Sequence, residues 1–394
     1  MNIAFCYITP FHPQKGGIGR VTDVLTRELQ RRGHNIYYLI FKSGMTIKHE
    51  FDYPAPLMYL PSKELLSKEN MNYYHKFLLD NNIDIIVDQG GNFAEYPLWL
   101  NTGNSKAKKI SVIHTYDTAT IRSLWHSDVI PLRNATITAH LKRLARILLY
   151  PKTKRNFHKR MTSSYQGMLK LTDHVVALSE NYLPELSKIC PGIEQKISFI
   201  GNPTPYSHAD KQLIHKKNKS ILFVGLFGPA KSEDRAAQIW KKLSKKYPDW
   251  TFNMVGYGSE QRVSRLKSIV KGLSNFKILG YQNPLPYQQT ASISCMTSTH
   301  EGWPLVLMEA MQCGAVPIAY DSFASASDII QSGENGELVT PFNEKEYIKK
   351  LSRLMDDDEY RQKLSNNARE SVKRFEIEKI ADKWEVLFNE LVEK

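Results

Sequence analysis

Short, continuous apolar runs alternate along the chain with longer stretches whose apolar positions recur every three or four residues. Ile3 to Ile8 reads as a buried strand, and Thr9 to Gly17 as a loop rich in Pro and Gly. Val21, Leu25 and Leu29 then recur every fourth residue, with Arg20, Arg27 and Arg31 on other faces. This spacing predicts an amphipathic helix that ends at Gly33. Ile36 to Phe41 (IYYLIF) is the next strand, and Ile83 to Val87 and Ile110 to Ile113 are further β-branched runs. Strands alternating with helices imply a parallel sheet with helices on both faces.

The alternation breaks at Gly201-Asn202-Pro203, turns polar and basic as far as Ser220, and then restarts. Strands are predicted at Ile221 to Val224, Phe252 to Val255, Phe276 to Leu279, Ile293 to Met296 and Val316 to Tyr320. The helices between them are predicted at Asp234 to Tyr247, at Gln261 to Lys271, and through Glu309. The expected organisation is α/β: a Rossmann-like domain over 1–200, a linker over 201–219 and a second Rossmann-like domain over 220–375. A last helix at about 376–394 is free to pack back on the first domain. Ligands of open α/β sheets bind outside the carboxyl ends of the strands. The site is therefore expected on the strand-exit loops of two domains facing across a cleft.

Composition narrows the class. The 394 residues suffice for two cores, and the 42% hydrophobic and 24% charged content excludes a disordered or collagenous chain. Cys6, Cys190, Cys295 and Cys313 form no CxxC pair, which argues against a zinc ribbon and for a reduced compartment. The first apolar run is short and lacks a basic leader, so it reads as a strand and not as a signal peptide. No run reaches the length of a membrane span. A cytoplasmic chain is expected.

The charge is lopsided. Between Asn101 and Lys170 there are 14 Lys and Arg against Asp117 and Asp128 alone, so +12 of the formal +13 lies in that segment. Ile137, Leu141, Leu144, Ala145 and Leu148 fall at helical spacing there, with Lys142, Arg143 and Arg146 between them. Lys154, Arg155, Lys159 and Arg160 follow. A basic amphipathic helix suits an anionic membrane surface, peripheral at the inner face of the cell membrane. Nucleic acid is attracted by the same charge, though none is expected as a partner. The bland alternative is a stripe packed into the core beneath solvated cations.

The segment with most chemistry is Glu301-Gly-Trp303-Pro-Leu305-Val306-Leu-Met-Glu309-Ala-Met-Gln-Cys-Gly314. Pro304 suits the first turn of a helix because it lacks an N–H. The amides of Leu305 and Val306 would then head the helix, where the dipole favours a phosphate. Two carboxylates beside a phosphate site suit the hydroxyls of a nucleotide sugar.

This segment resembles the E-x7-E signature of retaining GT-B glycosyltransferases, the family 4 or "group 1" class. The likeness continues through Gly314-Ala-Val-Pro-Ile and the Gly333-Glu-Asn-Gly-Glu-Leu-Val turn. The resemblance implies that Glu309 holds the donor ribose, Glu301 contacts the transferred sugar, and the amides of Leu305 and Val306 meet the diphosphate, with Trp303 alongside. It also implies a phosphate-binding Lys231 and an N-domain glycine loop at Gly16, Gly17 and Arg20. His114, at a strand exit, falls near the acceptor and the reacting sugar. The family pattern V-G-R-L-x3-K is broken here, because Val224-Gly225 is followed by Leu226 where the Arg would stand; Arg235 and Arg20 are candidate substitutes.

The implied activity is a metal-independent, cofactor-free hexosyl transfer from a nucleotide-diphosphate sugar, a UDP-sugar in the first instance. The implied acceptor is a glycan or lipid-linked glycan bound by the first domain, as in bacterial surface polysaccharide or lipopolysaccharide synthesis. The alternatives are an epimerase or phosphorylase on the same fold, or a non-catalytic basic binding protein.

Overall fold

The computed structural model describes residues 1–13, 16–41, 51–115, 137–206 and 215–393, without the side chains at 137–139, 142 and 143. Asp117 and Asp128, and the side chains of Ile137, Lys142 and Arg143, thus lie outside the described residues. The chain forms two compact units: Met1–Thr115 with Arg155–Pro205 and Phe375–Lys394, and Tyr116–Lys154 with Tyr206–Arg374.

The first unit is built on a seven-stranded parallel sheet. Its strands are β1 (Asn2–Tyr7), β2 (Asn35–Ile40), β3 (Leu57–Tyr59), β4 (Ile85–Asp88), β5 (Lys108–Ile113), β6 (His174–Ala177) and β7 (Ile197–Phe199). Their order across the sheet is β3-β2-β1-β4-β5-β6-β7. From β1 the chain builds outward through β2 and β3, then returns to the other side at β4. The order therefore reverses between β1 and β4, and the loops leaving those strands flank a natural ligand crevice.

Helix Gly17–Arg31 covers one face through Val21, Leu25 and Leu29, as its spacing predicts. The C-terminal helix Ile377–Val392 packs on the same core through Trp384, Leu387, Phe388 and Leu391. Burying each large apolar side chain contributes about 1.5–3 kcal/mol. Arg32 adds a clamp, donating to Asp382 and Glu385, each at 2.6 Å.

The second unit repeats the plan with six parallel strands. They are β8 (Asn218–Leu226), β9 (Thr251–Tyr257), β10 (Phe276–Gly280), β11 (Ala291–Met296), β12 (Val316–Tyr320) and β13 (Glu337–Val339), in the order β10-β9-β8-β11-β12-β13. Here the reversal falls between β8 and β11. The core between sheet and helices holds Trp240, Trp250, Phe252, Tyr320 and Tyr347.

The basic segment forms one 35-residue helix, Ile137–Leu171, which carries nine Lys or Arg, no acid, and Pro151 within it. Residues 137–154, read from the sequence as part of the first domain, group with the second unit. The first half of this helix supplies no described side chain to the core of either sheet. Leu141, Leu144, Leu148 and Leu149 are all exposed, Leu148 to 72%. The bland alternative, a stripe packed into a core, is not what these four residues do. Asp356, Asp357 and Asp358 make a corner between two helices, where Asp357 caps the second by accepting from the Tyr360 amide.

Candidate active site

In the second unit the reversal of strand order brings together two loops that are far apart in sequence. The loop after β8 carries Lys231, and the loop after β11 carries Glu301. Lys231 Nζ donates to Glu301 Oε1 at 2.6 Å, and Ser298 Oγ donates to the same oxygen at 2.6 Å. The loops are stitched along their length. Thr297 Oγ1 donates to the carbonyls of Lys231 and Ser232, and the Thr299 amide donates to Ala230 O at 2.7 Å. The aliphatic stem of Lys231 lies over Gly225. Ser325 Oγ, reaching across from beyond β12, ties down Gly302 O at 2.7 Å.

Pro304 precedes helix Leu305–Gln312, and the helix start presents the amides of Leu305 and Val306 without intrahelical acceptors. Trp303 is buried, and its indole donates to Met308 Sδ at 3.2 Å. Glu309, one face of the helix further on, is 1% exposed, and its Oε2 accepts from Gln288 Nε2 at 2.6 Å. Gln288 sits in the short helix Leu285–Thr290, is itself fully buried, and accepts from Tyr206 Oη at 3.2 Å. A carboxylate that deep is tolerable only with partners of this kind.

Arg235, a candidate for the cation missing at Leu226, has its Nε buried and unpartnered. That guanidinium is half-buried over the Phe342 ring, 4.7 Å from its centroid. Leu226 itself is 54% exposed at the end of β8. The neighbouring Arg262 is committed to the fully buried Glu233, at 2.5 Å. Glu233 in turn accepts from the Gly228 amide and so shapes the loop that carries Lys231.

In the first unit, the glycine loop leaves β1 and opens helix Gly17–Arg31. Gly16 has φ +146°, and the Arg20 amide closes the first helical turn on Gly16 O at 3.2 Å. Gly19 packs so tightly on the preceding loop that an added Cβ would lie 2.6 Å from His12 O. Arg20 is half-buried in the first turn.

His114 stands just beyond β5, and its Nε2 is hydrogen-bonded to Gln89 Oε1 at the exit of β4. Beside Gln89, Asp88 is buried, with Oδ1 accepting from the Gly90 amide at 2.9 Å and Oδ2 unpartnered. Burial, with Glu95 nearby, pushes its carboxyl up to about 8. Gly16, Gly17, Arg20 and His114 thus belong to one unit, and Lys231, Glu301, Trp303, Leu305, Val306 and Glu309 to the other. Among the described residues, no three His, Cys, Asp or Glu side chains gather as a metal-binding group.

Gln288, Ser298 and Gln89, which bond to the candidate residues Glu309, Glu301 and His114, are what sequence reasoning missed. Isolated amides and hydroxyls carry no spacing signature. Only their position at strand exits or on a helix before β11 could have drawn attention to them.

The family model for "Glycosyltransferase Family 4" matches residues 15–207, and the one for "Glycosyl transferases group 1" matches 207–371. The chain belongs to the group 1 glycosyltransferases. It is 33% identical over 192 residues to an uncharacterized glycosyltransferase of Haemophilus influenzae, covering 48% of this chain and 54% of that one. It is 29% identical over 200 residues to an α-1,4-N-acetyl-D-galactosaminyltransferase of Campylobacter jejuni, covering 50% and 55% respectively. That enzyme's name specifies an acceptor linked through PP to undecaprenol. The chain therefore spans about half the length of these curated relatives.

Among solved structures, HepE of Anabaena in complex with UDP and glucose aligns with a TM-score of 0.72 at 15% identity, over 99% of this chain and 100% of that one. At that identity the likeness shows the fold, which is GT-B.

Proposed function

We propose that this group 1 glycosyltransferase moves a sugar from a nucleoside diphosphate, UDP in the first instance, to a glycan or lipid-linked acceptor, with retention and without a metal ion. The observation that carries the reading is the Lys231–Glu301 pair, set at the strand-order reversal of the second sheet beside the head of helix Leu305–Gln312. A diphosphate leaving group gains charge as its bond to the anomeric carbon breaks. An ammonium and helix-start amides stabilise that charge where it develops. Glu301 then turns to the sugar hydroxyls, and Glu309 accepts from the ribose.

The acceptor belongs with His114 and the first unit. The acid-free helix with its exposed leucines supports work at the inner face of an anionic membrane, in surface polysaccharide assembly. The named acceptor of the Campylobacter relative and the UDP bound by HepE agree with this chemistry.

A thermal-shift screen against UDP-, GDP- and ADP-sugars tests the donor. A ligand at a hundred times its dissociation constant adds about 2.7 kcal/mol of stability. NMR of the anomeric linkage in the product tests retention. A chain that no nucleotide sugar stabilises, and that hydrolyses or transfers none, is not this enzyme.

A further inference from the structure

The pair at the exits of β4 and β5 does more than fill space. Gln89 is 3% exposed, and its backbone amide continues the ladder by donating to Cys6 O of β1 at 3.0 Å. The loop that follows hugs β5, because Gly91, at φ +58°, sits where an added Cβ would lie 2.6 Å from Val112 O. Only a glycine allows that approach, and it brings Gln89 to His114. The amide oxygen of Gln89 is an acceptor, and it pairs with the imidazole nitrogen facing it when that nitrogen carries the proton. Which ring nitrogen is protonated is set by the hydrogen bond that the other element of the site offers.

We propose that Gln89 is a positioning residue that holds His114 as the neutral Nε2–H tautomer, so that the ring meets a substrate hydroxyl only as an acceptor, through Nδ1. The surroundings agree. The pair borders a cavity of about 20 Å³ whose other walls include Val21 and Leu25 of helix Gly17–Arg31, Val112 of β5, Ile200 beyond β7 and Trp384 of the C-terminal helix. None of these elements turns an ionisable side chain into that cavity, among the described residues, except His114 itself. With no charge to help it, burial alone pulls the His114 imidazole down to about 4. A ring in this state neither donates a proton to a leaving group nor stabilises charge as a cation. It selects for a sugar hydroxyl placed to donate to it, and a deoxy analogue at that position loses the contact. The hydroxyl's origin rests on the transferase reading; the tautomer does not.

The test is a long-range ¹H–¹⁵N correlation on histidine-labelled protein, in which the His114 signal is the one removed by His114→Asn. The expected wild-type ring is protonated at Nε2 and bare at Nδ1 from about pH 5.5 to about pH 8. Gln89→Leu should give a mixture of tautomers. Gln89→Glu, which keeps the shape and so guards against a variant that fails to fold, should give an imidazolium at neutral pH. In the transfer assay, Gln89→Leu should lower kcat about tenfold with little change in KM for the nucleotide sugar. Gln89→Glu should acquire a limb of activity that rises with pH and is absent in the wild type. A wild-type ring protonated at Nδ1, or a spectrum indifferent to both substitutions, overturns the proposal. The expected tautomer in a chain that transfers no sugar upholds it and sinks the transferase reading instead.

Discussion

Replacing Glu309 by Gln separates two roles that Glu309→Ala would confuse. The Glu309 carboxylate is buried and accepts from the fully buried Gln288 at 2.6 Å. Truncation to Ala removes the proposed ribose acceptor and also strands Gln288 Nε2 where water does not reach, at a cost of about 1–3 kcal/mol in stability. An amide of the same shape still accepts from Gln288 through its oxygen. What it loses is the charge and one acceptor oxygen.

A hydrogen bond to a charged group is worth about 1.5–3 kcal/mol and a neutral one about 0.5–1.5. Glu309→Gln should therefore weaken UDP by about 1–1.5 kcal/mol, roughly five- to twelvefold, and Glu309→Ala by roughly ten- to a hundredfold. Each kcal/mol of lost stability moves the midpoint of a unit this size by about 2–4 °C. The melting curve of Glu309→Gln should thus stay close to wild type while that of Glu309→Ala drops. Calorimetry with UDP, GDP and ADP, none carrying a sugar, is the assay. A Glu309→Gln chain that melts normally and binds all three as tightly as wild type would put the ribose elsewhere.

Three further outcomes are expected. Turnover should survive excess EDTA, because Lys231 and the helix-start amides are assigned the phosphate charge; loss of activity restored by Mg²⁺ or Mn²⁺ would show that assignment wrong. Asp88 holds its proton up to about pH 8 when folded and releases it near 4 when unfolded, so the stability it contributes is complete below about pH 4 and lost as pH rises to 8. Asp88→Asn, which keeps the bond from Gly90, should flatten that decline and melt higher than wild type at pH 8; parallel pH profiles of the two midpoints would refute the neutral carboxyl. Wild-type protein should float with anionic vesicles at low salt, and replacing Lys152, Arg155 and Lys159 by Gln should reduce affinity by up to roughly 3 kcal/mol. Replacing Leu141, Leu144 and Leu148 by Ser should reduce it as well, and equal flotation of both variants would leave the helix a merely solvated face.

The central strands were legible because burial on both faces demands continuous apolar runs. β1, β2, β5, β8, β9, β11 and β12 all announce themselves this way. The three-residue edge strands β3, β7 and β13 did not, since a run as short as LMY, ISF or ELV looks like any loop. The long basic helix was legible only in its first turns. Pro151 signals a break by local chemistry, yet the helix continues through it. The spacing of Glu301 and Glu309 is local and could be read directly. The Lys231–Glu301 contact joins residues 70 apart and follows from β8 and β11 being neighbours, which no pattern of apolar residues states.

On the proposed reading, that contact would let a site lacking the family arginine hold the donor diphosphate. In the second unit, Arg235 is taken up by Phe342, Arg262 by Glu233 and Arg265 by Asp234 at 2.6 Å. Arg262 and Arg265 would have to give up a buried or half-buried carboxylate to meet a ligand, while Arg235 lies over a ring with its Nε unpartnered. Lys231 is different, because its partner Glu301 is itself a candidate site residue. In the proposed reaction an arriving diphosphate would offer Lys231 a stronger anion than the single carboxylate it releases, and the released Glu301 would gain sugar hydroxyls in exchange. The pair keeps two opposite charges satisfied in the free chain, and on this reading would hand each to a separate part of the donor.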